Sequence, residues 1–560
     1  MENRKIELIR KEYMTEEVLD FSDLSAEDTR LLNGIAEKMR YSYSEWVDDF
    51  TRNHSDFKYI WAIPLVSREI SNDSLFMDLC VLELARNILK TRSIKLIIVD
   101  SEYQAKAIRQ VLNQEVVVIF KRRTSAKSGW QSFIDTKLFI RRERMISKVK
   151  TISKNYSEPF SLVITPTLSS QFNGNIYIDR YFTGLTDYSD EVVGFFPSLI
   201  ENTNIDAREF ALKPLECMNY DFLCGYLYLQ KSDYNEIKIY QQYCKNLVRE
   251  EYMFNEMDIS ILVKESLLRG ITNVPAFKGI LFYQILKCLR EKNAKIKNFI
   301  IWYEGRPSDL MCAAAIREIY PEAGCVAYEG KAFDAMELSL HISKYQYESG
   351  KAPKKVAIPG EAFASASRQF CKDVDLIYVP VLRDEYVLKK SSVGDGDTKR
   401  VLVVLTGDLR VNRIILEWLR DYVDESGKKV EIHIKNHPIY GEYTLGDYGV
   451  EEFKCVAKFV DGKLEDHFDG KSLVITSSTS STMQILYNGL PVIILCASGD
   501  LKCPRLPSEG LEDLYRVVYD RKEYFDAIEL FLDGYTFDNS VLDGMMTEKN
   551  RENVARLFQS

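Results

Sequence analysis

The sequence predicts an α/β protein with two parallel-sheet domains that follow a mainly helical region. Short, almost wholly apolar strand segments alternate with helical segments along most of the chain, and this pattern is typical of parallel strands covered by helices on both faces. A polar run with two glycines at residues 389–399 separates two such series. The chain has 560 residues, which is too long for one hydrophobic core. We therefore expect two Rossmann-like domains that face each other across a cleft.

The N-terminal part divides into a helical region and a first domain. Residues 1–93 are predicted to be mainly helical, with a clear apolar face over Leu75 to Leu89. Residues 94–388 are predicted to form the first Rossmann-like domain. Its predicted strands span residues 94–99, 115–120, 161–165, 192–196, 299–303 and 324–328, and its predicted helices span residues 102–112, 233–253, 258–292 and 308–319.

The second Rossmann-like domain is predicted over residues 400–560, after the linker at 389–399. It opens with an apolar strand at residues 400–405. Further strands are predicted at 430–434 and 473–475, and a short helix at 483–487 that Asn488-Gly489 would stop.

Composition excludes several classes of protein. The net charge of −9 argues against generic nucleic-acid binding. The eleven cysteines are scattered and include no C-x-x-C pair, so reduced thiols in the cytoplasm are expected. The charged N-terminus lacks the apolar core of a signal peptide, and no apolar run approaches eighteen residues. We expect a cytoplasmic protein that does not span a membrane.

Two motifs in the second domain predict a phosphate site. The first is Lys435-Asn436-His437-Pro438, and the second is the hydroxyl run from Thr476 to Thr482, which opens a helix. Free backbone N–H groups, side-chain donors and the positive end of a helix dipole together bind anions. Simple helix capping would need only one or two hydroxyls. The predicted binding residues are Lys435, His437, Pro438, Ser477, Ser478, Thr479, Ser480, Ser481 and Thr482.

Two carboxylates are candidates for acid–base chemistry. Glu304 follows a predicted strand and precedes Gly305, so it is expected at the mouth of the cleft, where it could deprotonate a sugar hydroxyl. An ion pair with Arg306, or capping of the next helix, is the structural alternative. Asp179 also follows a strand-like run, but Asp179 and Arg180 could form a surface ion pair. The five histidines show no metal-site spacing, and no metal is expected.

One segment is strongly basic within an acidic protein. Residues 121–154 carry eleven Lys and Arg against two acidic residues, with apolar residues at roughly helical spacing. This pattern predicts a helix that lies on an anionic membrane. The alternatives are a solvated helix that packs on its own domain, or contact with an anionic glycan or a lipid pyrophosphate.

The sequence resembles bacterial surface-polysaccharide glycosyltransferases of the GT-B fold, the group that contains capsule polysialyltransferases and Kdo transferases. The resemblance extends over roughly residues 60 to 500. The segments that carry it are Trp302-Tyr303-Glu304-Gly305, residues 315–321, Val326-Ala327-Tyr328, residues 356–358 with Gly360, Phe370-Cys371, residues 379–383, Ile434 to Pro438, Ser477 to Ser481 and Gly489 to Ile493. Two positions depart from the pattern: Tyr303 replaces a second acidic residue, and Glu329 replaces a glutamine.

The resemblance implies a function and a role for each motif. In that family the acidic residue before the glycine is the proposed base, and the His-Pro and Ser/Thr motifs contact the donor nucleotide. We therefore expect an inverting, metal-independent transferase with no cofactor, which moves a sugar from a nucleotide donor to a glycan or lipid-linked acceptor. A CMP-linked acidic sugar such as sialic acid or Kdo is the preferred donor.

Other functions stay open at this point. UDP-sugars are alternative donors. A UDP-sugar 2-epimerase of the same fold would bind a nucleotide and transfer nothing, and a non-catalytic polysaccharide-assembly protein would keep only the fold. The protein could also lie at the inner face of the cell membrane.

Overall fold

The structure is a computed structural model. It describes residues 9–70, 73–112, 116–120, 137, 139, 158–188, 193–199, 213–383, 399–507, 510–533, 535, 538 and 540–559.

Parallel strands dominate the described part of the chain. The strands are β1 (Val18–Asp20), β2 (Leu96–Val99), β3 (Val117–Phe120), β4 (Phe160–Thr167), β5 (Phe172–Asn173), β6 (Ile176–Tyr177), β7 (Val193–Leu199), β8 (Asp221–Phe222), β9 (Met253–Phe254), β10 (Met257–Asp258), β11 (Ile296–Trp302), β12 (Gly324–Tyr328), β13 (Lys355–Ile358), β14 (Leu376–Tyr378), β15 (Lys399–Val404), β16 (Val430–Lys435), β17 (Ala457–Phe459), β18 (Leu473–Thr476), β19 (Val492–Leu495) and β20 (Tyr515–Val518).

Helices connect most of these strands. They are α1 (Ala26–Asn53), α2 (Pro64–Ser67), α3 (Leu75–Thr91), α4 (Glu102–Leu112), α5 (Leu185–Tyr188), α6 (Asn235–Leu247), α7 (Ser260–Gly270), α8 (Val274–Glu291), α9 (Pro307–Ile319), α10 (Lys344–Glu348), α11 (Ala364–Ser367), α12 (Leu409–Ser426), α13 (Thr482–Tyr487), α14 (Arg521–Leu532) and α15 (Arg551–Ala555).

Both large sheets have the Rossmann strand order. The first has seven parallel strands in the order β14-β13-β12-β11-β4-β7-β8, and the second has six in the order β17-β16-β15-β18-β19-β20. Counted within each domain, the order is 3-2-1-4-5-6, with a seventh strand at one edge of the first sheet. The predicted fold class is confirmed: two Rossmann-like domains in a GT-B-like arrangement, preceded by a mainly helical region.

The first two strands that the sequence predicts for the N-terminal domain lie outside its sheet. β2 and β3 pair in parallel with each other, and β2 also pairs with β1, in a separate three-stranded sheet. The prediction missed β1 because it is three residues long within a helical stretch. The N-terminal region therefore carries a small α/β layer of its own, although the proposed boundary at residue 94 stays a prediction.

The helix predicted over residues 258–292 is two helices. α7 ends at Gly270, and α8 begins after Asn273, whose side-chain oxygen accepts the backbone N–H of Ala276 at 2.9 Å. Pro275 occupies the first turn of α8, where its missing N–H costs nothing. The cap at Asn273 separates the two helices. The sequence did not predict the break, because the apolar periodicity continues without interruption on both sides of it.

A buried arginine joins the N-terminal region to the first domain. The side chain of Arg68 is fully enclosed and donates to Ser44 Oγ at 2.8 Å, to the His341 carbonyl at 2.9 Å and to Gln346 Oε1 at 2.9 Å. Nearby, the carboxylate of Asp48 accepts the backbone N–H of Tyr345 at 2.9 Å. Buried polar groups need such partners, so the two parts of the chain are fixed relative to each other.

The C-terminal segment returns to the first domain. The N–H of Thr547 donates to the Pro359 carbonyl at 2.7 Å, and Lys549 Nζ donates to the Leu382 carbonyl at 3.3 Å. Further along, the Phe558 carbonyl accepts the side-chain amide of Asn298 at 3.3 Å. The chain thus passes from the first domain to the second and back again. None of the helices in the described ranges is long and apolar enough to cross a bilayer.

We expect Arg68→Ala to destabilise the protein strongly. The substitution removes three buried hydrogen bonds and takes this donor away from Ser44 Oγ and the His341 carbonyl, which costs about 3 kcal/mol of unfolding free energy. Arg413→Ala is the control, because Arg413 is exposed and pairs with Glu417, an ion pair worth about 0.5 kcal/mol or less. Thermal unfolding of both variants is the measurement, and equal midpoints would contradict the anchoring role of Arg68.

Candidate functional site

One large cavity lies where the two sheets and the N-terminal region meet. Its volume is about 1020 Å³. The first domain contributes Glu304, which follows β11, and the second contributes Thr406 after β15 and Ser477 after β18. In open α/β sheets ligands bind beyond the carboxyl ends of the strands. The cavity therefore occupies the place where both domains present their binding loops.

The hydroxyl run is divided between scaffold and cavity. The hydroxyls of Thr476, Ser477 and Thr482 each donate to a backbone carbonyl at 2.8 Å. α13 has only six residues, and the residue before it, Ser481, makes no side-chain capping bond. Of the predicted phosphate-binding residues, Ser477, Ser478 and Ser480 line the cavity. Thr479, Ser481 and Thr482 do not, and their role in binding stays a prediction.

The His-Pro motif is absent from the described residues of the cavity wall. Lys435 ends β16, His437 and Pro438 follow it, and all three are at least partly exposed. His437 Nδ1 accepts the N–H of Ile439 at 3.3 Å, so the neutral ring carries its proton on Nε2. Burial, followed by the charge of Arg180 in the first domain, lowers the pKa of His437. The ring is therefore a neutral N–H donor at pH 7.

Glu304 is ionised and held by several donors. Trp302 Nε1 donates to Oε1 at 3.1 Å, and Oε2 pairs with the Arg306 guanidinium. Burial by itself raises the pKa of Glu304, but the charges of Lys331 and Arg306 and the Trp302 bond, with Arg505, outweigh burial and leave the pKa below its ordinary value. The ion pair between Glu304 and Arg306, which the sequence offered as the structural alternative to a catalytic role, is therefore present. The Glu304 carboxylate also lines the cavity.

Gly305 permits the turn that places Glu304. Its φ is +68°, and a Cβ at this position would overlap the Ser339 carbonyl. The Glu304 carbonyl accepts Ser339 Oγ at 2.9 Å, and the Glu304 N–H donates to Asp309 Oδ2 at 3.0 Å. Asp309 Oδ2 also accepts the N–H of Arg306, the residue before α9. The capping carboxylate is thus Asp309, and the Glu304 side chain lines the cavity.

Asp179 is a buried turn residue. Its side chain is 2% exposed, and Oδ1 accepts the N–H groups of Tyr181 at 2.7 Å and Phe182 at 2.9 Å. Burial raises its pKa, against the effect of these hydrogen bonds. The prediction of a surface ion pair with Arg180 is wrong, because the Asp179 carboxylate turns inward to bind its own backbone. Asp179 is absent from the described residues that line the cavity.

Six cations line the cavity, and the prediction of site residues omitted them. Arg269, Arg306, Lys331 and Arg383 belong to the first domain, and Lys502 and Arg505 belong to the second. Arg383 donates to Ser480 Oγ at 3.3 Å, and Lys331 Nζ lies 3.0 Å from Glu337 Oε1. These residues are far apart in sequence, so only the folded chain brings their charges together. One indication of a role for Arg383 was present in the sequence, because Arg383 ends a segment that resembles the polysaccharide transferases.

The N-terminal region supplies an acidic wall. Asp78 on α3 lines the cavity and is 3% exposed. Its Oδ2 accepts Ser74 Oγ at 2.8 Å, and its Oδ1 accepts Gln104 Nε2 at 2.5 Å. Burial, with the charge of Glu265, raises the pKa of Asp78 to about 7. Two carboxyls of the cavity therefore shift in opposite directions: the pKa of Glu304 lies below its ordinary value and the pKa of Asp78 lies above it.

Glu329, which departs from the pattern of the resembling family, is absent from the described residues of the cavity wall. Its side chain is 1% exposed, and burial raises its pKa well above the ordinary value. Among the described residues there is no group of three or more His, Cys, Asp or Glu side chains placed to hold a metal ion. Metal independence stays a prediction.

Two predicted segments lie largely outside the described residues. The basic segment 121–154 is described only at Lys137 and Phe139, and the linker 389–399 only at Lys399. Phe139 is buried, and its ring centroid lies 6.3 Å from that of Phe277 on α8. The predicted membrane contact of this segment stays a prediction.

Comparison with solved structures finds proteins that are only remotely similar to this chain. The galactosyltransferase WaaB of the lipopolysaccharide outer core, in its apo form, is 10% identical, with a TM-score of 0.39, and covers 72% of this chain and 98% of its own. The N-terminal domain of Candida albicans trehalose-6-phosphate phosphatase is 11% identical, with a TM-score of 0.38 and coverages of 74% and 94%. S. aureus MnaA with UDP is 11% identical, with a TM-score of 0.37 and coverages of 72% and 94%.

No protein-family description and no curated protein matches the sequence. Proteins of one fold carry out many different reactions, so a likeness of fold assigns no reaction to this chain.

The titration of Asp78 should lower stability as the pH rises. Its folded pKa lies near 7 and its unfolded pKa near 4, so the stabilising protonated form is present below pH 4 and is lost through pH 7. The full effect is on the order of 4 kcal/mol. The unfolding midpoint of Asp78→Asn should therefore rise relative to that of the native protein between about pH 4 and 7, and the difference should change little at higher pH. Asp49→Asn, at an exposed position of the same region, is the control; parallel curves for Asp78→Asn and the native protein would contradict the assignment.

Proposed function

We propose that the protein is a glycosyltransferase that moves a sugar from a nucleotide donor to a glycan or lipid-linked acceptor in bacterial surface-polysaccharide synthesis. The observation that carries the proposal is the composition of the cavity. Three serines of the hydroxyl run and six cations line the space that the ionised Glu304 also reaches, together with six further carboxylates. Such a set suits a substrate with an anionic phosphate next to a reacting carbon.

The phosphate of the donor is proposed to lie against the second domain. Ser478 and Ser480 line the cavity at the carboxyl end of β18. Arg383 reaches Ser480 from the first domain, so an anion at this point would contact both domains. A cation there stabilises the charge that grows on the leaving phosphate, which helps the transition state more than the ground state.

The proposed reaction is a single displacement. The acceptor hydroxyl oxygen attacks the anomeric carbon and forms the new glycosidic bond. The bond from that carbon to the phosphate oxygen breaks, and its electron pair leaves with the nucleotide. Glu304 takes the hydroxyl proton. Attack from the face opposite the leaving group inverts the configuration, and no metal or cofactor enters the proposed step.

The environment of Glu304 fits a base that works over a wide pH range. Its lowered pKa keeps it ionised at neutral pH, and a carboxylate with one bond on each oxygen can still accept another. The ion pair with Arg306 orients the carboxylate. Arg306 also lies 3.6 Å from Glu69, so a second carboxylate is at hand to hold the guanidinium when a proton reaches Glu304.

The nucleotide is proposed to be CMP, linked to an acidic sugar such as sialic acid or Kdo. The support is the pairing of a His-Pro motif with a Ser/Thr motif in the sequence. UDP-sugars are the second candidate. A protein that binds UDP and interconverts a UDP-sugar without an acceptor would be an epimerase, and one that binds no nucleotide would be a non-catalytic assembly protein. Contact of residues 121–154 with anionic lipid would bring a lipid-linked acceptor to the cavity.

Removing two serine hydroxyls should weaken nucleotide binding. In Ser478→Ala with Ser480→Ala, two donors to the phosphate are lost, and hydrogen bonds to charged groups contribute about 1.5–3 kcal/mol each. We expect the Kd for CMP or UDP to rise at least tenfold in titration calorimetry while the unfolding midpoint holds. Ser426→Ala, at the opposite end of α12 from the cavity, is the control. Equal affinity in the double variant and the native protein would contradict a phosphate site at Ser478 and Ser480.

Glu304→Gln should abolish most transfer and leave nucleotide binding in place. The amide keeps the size of the side chain but cannot take a proton, and loss of a general base costs about a hundredfold or more. Asp179→Asn should cost much less, since Asp179 lies away from the cavity. The measurement is the rate of nucleotide release with an acceptor present, beside the Kd for the nucleotide.

The pH profile separates Glu304 from Asp78, the cavity carboxyl whose pKa is raised to about 7. With Glu304 as base, kcat/KM should fall only below the ordinary pKa of a glutamate, because the base must be ionised and its pKa is lowered. A profile that falls below pH 7 would favour Asp78 as the base. Unchanged transfer in Glu304→Gln would show that Glu304 is not the base.

A further inference from the structure

A loop of the second domain is held by side chains from the other two parts of the chain. This loop, residues 498–505, follows β19 and lines the cavity with most of its residues. At its beginning Ser498 Oγ donates to the Leu24 carbonyl at 3.0 Å. At its end the N–H of Arg505 donates to Asp334 Oδ2 at 2.7 Å. The loop is thus fixed from outside its own domain.

Asn33 on α1 binds the middle of the loop through both ends of its amide. Its Nδ2 donates to the Asp500 carbonyl at 3.2 Å, and its Oδ1 accepts the N–H of Lys502 at 2.5 Å. The same Nδ2 donates to the Thr29 carbonyl at 2.8 Å, which fixes the rotamer. The Asn33 side chain is buried at 7% exposure, so these backbone groups have little water to replace it.

The loop also approaches the backbone of the N-terminal region closely. Gly499 has a φ of +73°, and a Cβ there would lie 2.7 Å from the Phe21 carbonyl oxygen. Any side chain at this position would push the loop away from Phe21. The contact is therefore independent of Asn33 and acts on the same loop.

The loop is connected to the serine segment that is proposed to hold the phosphate. β19 lies beside β18 in the sheet, and Ser477 Oγ donates to the carbonyl of Leu495 at the end of β19. Asp500 forms a two-point ion pair with Arg410 at 2.6 Å. A shift of the loop would therefore move the cavity wall on which the phosphate is proposed to lie.

We propose that Asn33 is a positioning residue for the donor site: it holds the 498–505 loop so that the second domain's cavity wall has the shape that binds the nucleotide. The identity of the ligand rests on the proposed function, but the control of the loop by Asn33 does not. The N-terminal region would then be a working part of the nucleotide site, although the nucleotide-binding motifs lie more than four hundred residues away in sequence.

The test uses the full chain with Asn33→Ala and Gly499→Ala. We expect hydrogen exchange at the Lys502 amide to accelerate at least tenfold in Asn33→Ala, because its acceptor is gone, and the Kd for CMP or UDP to rise about tenfold in both variants. Asn33→Asp keeps the acceptor for Lys502 and loses the donor to Asp500, so its effect should lie between those of the native protein and Asn33→Ala.

Thr51→Val is the matched control, since Thr51 is a buried polar residue of the same helix, about 27 Å from Asn33. It should leave loop exchange and nucleotide affinity unchanged. Unchanged exchange at Lys502, or a nucleotide affinity within twofold of native in both Asn33→Ala and Gly499→Ala, would overturn the inference. If the native protein binds neither CMP nor UDP, the proposed function fails, and loop exchange alone then decides the role of Asn33.

Discussion

Polar groups buried between three parts of the chain must find partners there, and this requirement fixes the cavity. The N-terminal region contacts both domains, and its side chains bind backbone groups of each. Arg68 binds the first domain and Asn33 binds the second. An unpaired buried donor or acceptor costs about as much as several exposed ion pairs contribute. The geometry of the cavity is therefore set by a few enclosed hydrogen bonds together with the apolar core.

The carboxyl groups of the cavity differ in pKa because their surroundings differ. Glu304 sits among Arg306, Lys331 and Arg505, whose charges overcome the effect of burial on its pKa. Asp78 sits in the N-terminal wall, where burial and Glu265 dominate. The same side-chain chemistry thus gives an ionised group on one side and a group that holds its proton on the other. Acid and base roles in enzymes are divided by differences of this kind.

Much of the fold could be predicted from the sequence, because parallel strands buried on both faces leave nearly continuous apolar runs. β11, β12 and β18 follow that rule, and the short helix at Thr482–Tyr487 with its Asn488-Gly489 stop is confirmed. The small β1 strand left no comparable pattern. The division of one long apolar stretch at Asn273 depended on a single cap, which periodicity does not reveal.

The candidate site was predictable only in part. Residues that follow strands, such as Glu304 and Ser478, were found because a sheet brings its carboxyl ends to one edge. Arg383 and Arg505 were not, because no local pattern relates a cation to a cavity that forms between separate segments. Asn33 lies in a helix whose sequence suggests only packing, and its bonds to the 498–505 loop exist only after the domains meet.

The return of the C-terminal segment has a mechanical consequence. The chain crosses between the domains once after Leu382 and once before Thr547, and Lys549 binds the Leu382 carbonyl, so the two crossings are neighbours. Two bodies joined at adjacent points rotate most easily about an axis through those points. Arg383 lies next to this axis and donates to Ser480 of the second domain. The bonds of Asn33 and Asp334 to the 498–505 loop oppose such a rotation, because each of them joins the second domain to another part of the chain.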